Sequence, residues 1–125
     1  MDIEIMNKIK KKIQLEKEVA FQGVLKLIAT GVDVQSPEQL YIRGTISCGK
    51  NVKLDLNVII EGDVKLGDDV TIGANSILKD CTIGSGTIIK PFSLVEGTVI
   101  GENCLIGPYG RIRTDVSIED CVQIG

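Results

Sequence analysis

The chain has 125 residues with 14 Lys/Arg, 17 Asp/Glu and no His, for a net charge of −3. That length holds one domain, and the acidic balance argues against nucleic acid as a partner, because phosphate neutralisation needs a basic footprint. Hydrophobic residues make up 43% of the chain, yet aromatics only 3%, with no Trp, which suits a stack of narrow Ile/Leu/Val layers better than a rounded globule.

Residues 2–30 read as a helix. Ile5, Ile9, Ile13, Ala20, Val24 and Leu27 follow a three-to-four spacing with Lys, Glu and Gln between them. Gly31 supplies a left-handed stop. Gly23 weakens the middle and leaves room for a close crossing or a break there. Lys8, Lys10, Lys11 and Lys12 read as a solvated face rather than a binding patch. A connector follows, in which Ser36-Pro37 breaks any helix and Leu40, Tyr41 and Ile42 begin an extended segment. The expected division is a helix over 1–31, a connector over 32–47 and a repeat over 48–125.

The repeat counts in sixes. From Cys48 the aliphatic positions are Leu54, Ile60, Leu66, Ile72 and Leu78, then Ile83, Ile89 and Val95, then Ile100, Ile106, Ile112, Ile118 and Ile124. The rungs Leu78–Thr82 and Val95–Val99 have five residues instead of six. The fifth position of each rung is small or β-branched, including Thr82 and Val99, so first and fifth positions are both expected to face inward. The fourth position is mostly Asn, Asp or Gly, residues that tolerate the left-handed region and mark tight corners. Three rungs close a triangular coil, successive coils stack at about 4.8 Å, and residues 48–125 give room for roughly four. The expected fold is therefore an all-β solenoid of hexapeptide repeats behind an N-terminal helix. The last rung stops at Ile124-Gly125 without a cap, so the repeat reads as incomplete at its C-terminus.

Composition excludes several chemistries. Cys48, Cys81, Cys104 and Cys121 form no CxxC pair, so no zinc site is expected, and reduced thiols in a cytoplasmic protein are the expectation. No signal peptide and no long apolar run implies a membrane span. Outward positions mix Lys, Asp and Ile, unlike the Thr ladders of ice-binding β-helices.

The repeat resembles the hexapeptide transferases, whose β-helices are left-handed and assemble as trimers. The stretches IATGVDVQSPEQLYIRGTI, NVIIEGDVKLGDDVTIGANSILKD and IGPYGRIR narrow the resemblance to one bacterial family. That family joins an N-acetylglucosamine-1-phosphate uridyltransferase to a glucosamine-1-phosphate N-acetyltransferase and makes UDP-N-acetylglucosamine, a cell-wall precursor. The resemblance implies a homotrimer held through the β-helix, a sugar-phosphate substrate, and acetyl-CoA and magnesium as requirements of the full-length enzyme. It implies one substrate-binding residue here, Arg113, whose guanidinium fork suits a phosphate. Ile112 is a counted inward position, so Arg111 and Arg113 both turn outward. The resemblance implies no nucleotidyltransferase domain within these residues and no catalytic residue. The family's general base is a histidine, and acetyl transfer to an amine needs a base. The chain is then expected to act in assembly and spacing. The rival reading is a stand-alone hexapeptide scaffold whose helix caps the open end of the prism.

Overall fold

The computed structural model describes residues 2–125. It begins with one helix, α1, over Ile3–Ala29. The Asp2 side chain caps it by accepting from the Glu4 N–H at 3.0 Å, which satisfies one of the free N–H groups of the first turn. Thr30 and then Gly31, at φ +106°, end it. The helix runs through Gly23 without interruption, and nothing stands within 4 Å of where a Cβ would sit there. The helix does not break at Gly23, because one residue of weak propensity does not offset the helix on either side.

The apolar stripe of α1 is covered only at its end. Val24 and Leu27 are buried with Val32 and Leu40, where the helix meets the first turn of the solenoid. Ile5, Ile9 and Ile13 remain exposed. The helix thus seats its last turns on the solenoid and extends away from it with the rest.

Everything after the helix is a parallel β-solenoid with three faces. The first face stacks Asp33–Val34, Lys53–Leu54, Thr71–Ile72, Ile88–Ile89, Leu105–Ile106 and Gln123–Ile124. The second and third faces are joined in the long strands Tyr41–Cys48, Ile59–Leu66 and Ile77–Ile83. Below those, the second face continues through Leu94–Glu96 and Arg111–Ile112, and the third through Val99–Ile100 and Ser117–Ile118.

The solenoid starts earlier than the repeat count. Asp33 pairs with Lys53, and Tyr41–Cys48 pairs residue for residue with Ile59–Leu66. Residues read as a connector therefore build a turn of their own, so there are about five turns rather than four. The first turn escapes the count because Asp33 lies 20 residues before its partner, and a 3-10 turn at Pro37–Gln39 takes up the excess.

Inside, the counted aliphatic positions form ladders. Leu54, Ile60, Ile72, Leu78, Ile89, Val95 and Ile106 have no exposed surface. The fifth positions mostly point inward too, but Thr82 and Val99 do not: both are exposed, and Cys81 and Thr98 take their places. Strand alternation sets the reason. The second inward residue lies two before the next ladder residue, as in Cys81/Ile83 and Thr98/Ile100, and a five-residue rung shifts it one place back.

Corners behave similarly. Ten of the fourth positions have positive φ, among them Asn51, Asn57, Asp69, Asn75, Asn103 and Asp115. Between the second and third faces the left-handed residue moves one earlier, to Gly62, Asp80 and Gly97. Phe92 and Tyr109 also occupy the left-handed region, where their rings stack with centroids 5.4 Å apart.

The inward hydroxyls are all bonded. Thr87 Oγ1 donates to the Gly101 carbonyl at 2.8 Å and accepts from the Cys104 N–H at 3.0 Å. Ser93 Oγ donates to the Lys90 carbonyl at 2.8 Å and accepts from the Gly110 N–H at 3.2 Å. No side-chain nitrogen or oxygen is buried without a partner among the described residues, as a low-dielectric interior requires.

Candidate functional site

Arg113 follows the strand Arg111–Ile112, in the fifth turn. Ile112 is buried, and Arg111 and Arg113 are both exposed, the alternation expected of a strand. A column of outward charges runs down the second face to Glu96. Arg43 pairs in register with Glu61, Glu61 with Lys79 and Lys79 with Glu96, so sign alternates from layer to layer, and Arg113 follows Ile112, whose partner Val95 precedes Glu96. Arg43 and Glu61 stand 3.6 Å apart. Among the described residues the only other ion pair is Lys65 with Asp63 at 4.0 Å, so the Arg113 guanidinium is not engaged by a carboxylate of its own chain.

The two five-residue rungs lie one coil apart and stack: Leu78 pairs with Val95, and Thr82 with Val99. The corner is tightened twice in succession, which leaves an open notch of about 350 Å³ lined by Asp63, Lys65, Asp80, Thr82, Gly97 and Val99 among others. In the next turn the rung returns to six residues, since Ile112 pairs with Val95 and Ile118 with Ile100. The additional residue falls in Arg113–Val116, directly below the tight corner. It forms a ledge there: the Asp115 N–H donates to the Gly97 carbonyl at 3.2 Å, and Thr98 Oγ1 donates to the Arg113 carbonyl at 2.9 Å.

Two thiols sit near this corner and the first turn. Burial pushes the Cys81 thiol up to about 12, with the Asp80 charge adding to it and a hydrogen bond to the Lys79 backbone opposing it. Burial alone raises Cys48 to about 11. Both are protonated at neutral pH and unsuited to nucleophilic work. Cys104 is buried and Cys121 exposed, and none of the four is in a disulfide.

Among the described residues no group of three His, Cys, Asp or Glu side chains is placed to hold a metal ion. No helix is long and apolar enough to cross a membrane. Sequence reasoning places Arg113 outward beside Ile112, as observed, but passes over the inward position of Thr98 and the ledge. The available signal was the residue two before Ile100, which the count from Val95 overlooked.

The fold and the stacked six-residue rungs define the class: a parallel β-helix of hexapeptide repeats. The family model described as the GMPPB C-terminal domain matches residues 41–125, and the chain belongs to that hexapeptide-repeat family. It is similar to the bifunctional protein GlmU of Pseudoalteromonas atlantica, 37% identical over 125 residues, which is 100% of this chain and 28% of that protein. The GlmU of Nitrosospira multiformis is 50% identical over 100 residues, 80% of this chain and 22% of that protein. That of Acinetobacter baumannii is 41% identical over 124 residues, 99% and 27% respectively. The chain thus spans about a quarter of the length of these relatives. Among solved structures, a hexapeptide transferase family protein from Anaplasma phagocytophilum aligns at 21% identity and a TM-score of 0.29, covering 69% of this chain and 72% of that one. The fold assignment here rests on the strand pairing itself.

Proposed function

We propose that these residues are the helical linker and opening turns of a glucosamine-1-phosphate N-acetyltransferase domain, within a cytoplasmic enzyme of UDP-N-acetylglucosamine synthesis. The observation that carries this reading is the similarity to bifunctional GlmU proteins along the whole chain, together with an exposed arginine at the matching GPYGRIR stretch. The solenoid assembles as a homotrimer, and Arg113 meets the phosphate of the sugar in the cleft between neighbouring copies. A free guanidinium on an otherwise acidic prism supports that role, because a bidentate contact to phosphate is among the stronger charge-assisted pairs.

The chain's own work is assembly and substrate contact. Acetyl transfer from acetyl-CoA to the sugar amine needs a group to accept the amine proton, and these 125 residues contain no histidine. The base comes from outside them, and magnesium belongs with uridylyl transfer, also outside them. An acetyl-CoA assay with glucosamine 1-phosphate on the purified chain tests the division of labour. It is expected to give no turnover above the uncatalysed rate, and clear turnover contradicts the reading.

A further inference from the structure

We infer that Thr98 is a positioning residue for Arg113, an assignment that rests on the sugar-phosphate reading above. The fifth turn carries one residue more than the turn it stacks on, at the corner where the two shortened rungs have drawn the solenoid in. An additional residue there has no strand partner, and without restraint the segment after Ile112 is free to swing. Two hydrogen bonds hold it: Thr98 Oγ1 donates to the Arg113 carbonyl at 2.9 Å, and the Asp115 N–H donates to the Gly97 carbonyl at 3.2 Å. Thr114 fills the space beside Gly97, where an added Cβ would stand 3.1 Å from the Thr114 α-carbon.

The Thr98 hydroxyl is the one side-chain hydrogen-bonding group among them, and Thr98 is 2% exposed. The Glu96 carbonyl also lies 2.9 Å from it, so its single proton ties the tight corner and the ledge at one point. The bond reaches the backbone of the arginine itself, not a neighbour. Fixing that carbonyl fixes the direction in which the side chain leaves the solenoid, and pre-set geometry is what a two-point contact to phosphate requires. The shortened rung makes this possible: in a six-residue rung the inward residue would be Val99, which carries no hydroxyl.

The test titrates the 125-residue chain with glucosamine 1-phosphate, following Arg113 and Asp115 amide signals by NMR, and measures amide exchange at Asp115 without ligand. Thr98→Val keeps the shape and removes the hydroxyl. It is expected to weaken binding by about threefold to tenfold, the weight of one hydrogen bond, and to speed exchange at Asp115. Thr98→Ser is expected to restore both. If Thr98→Val does not fold, Thr98→Ala makes the same comparison with space to spare. Unchanged affinity in the Thr98 variant while Arg113→Ala loses binding overturns the positioning role and leaves the sugar-phosphate reading standing. A wild-type chain that does not bind, or an Arg113→Ala variant that binds as tightly as wild type, overturns the reading and this assignment with it.

Discussion

Gly97 combines a left-handed backbone with a close neighbour. Its φ is +60°, and an added Cβ would stand 3.1 Å from the Thr114 α-carbon. The left-handed region alone costs an L-residue about 1–2 kcal/mol, so Gly97→Ala is expected to destabilise the fold by at least that much, read as a lower urea midpoint; an unchanged midpoint contradicts the ledge geometry. Phe92 and Tyr109 accept the same backbone region without being glycine. Their ring stacking, about 0.5–1.5 kcal/mol for such a pair, offsets part of the cost. The thiols give a second residue-scale outcome. Unfolded Cys81 and Cys48 ionise near the ordinary value of 9.0, whereas in the fold they hold their protons to about 12 and about 11. Above pH 9 the unfolded chain therefore binds fewer protons than the folded one, and stability falls as pH rises toward 11. Below pH 9 these groups contribute no slope. Urea midpoints from pH 7 to 10.5 check the sign. Alkylation near neutral pH is expected to reach exposed Cys121 first and to spare Cys81 and Cys104.

At the scale of elements, the ladders carry the stability. Ile89 has no exposed surface, and its neighbours Ile72 and Ile106 lie directly above and below it. Ile89→Ala is expected to cost about 2–5 kcal/mol, read by urea unfolding. The helix divides into two halves with different demands. Leu27→Ala, in the seat against the solenoid, is expected to cost within that same range, whereas Ile9→Ala on the exposed length is expected to stay within about 0.5 kcal/mol. Equal effects at both positions contradict the described packing. The ladders were legible because one side of every rung must be apolar, and Ile, Leu or Val recurs wherever it is. The first turn was not, because Pro37–Gln39 interrupts the six-residue frame before Tyr41. The inner corner residues Cys81 and Thr98 were missed for a related reason: a deletion moves the alternation, and only the following ladder residue reveals where it went.

At the scale of the whole molecule, a prism of stacked coils is a rigid ruler on which outward residues recur at fixed height. Its second face carries charges that alternate from Arg43 to Glu96, and Arg113 lies in the turn below. That arginine was identified through its family motif and its place beside Ile112, since nothing in composition marks one exposed arginine among 14 Lys/Arg. The ledge beneath the notch was invisible to counting, because it arises only when a six-residue rung stacks under a five-residue one. The proposed sugar-phosphate cleft between copies demands that the copies associate. Light scattering coupled to size exclusion measures it directly. The proposed trimer gives a particle of three times the 13.5 kDa chain mass, and a stable monomer at micromolar concentration contradicts it.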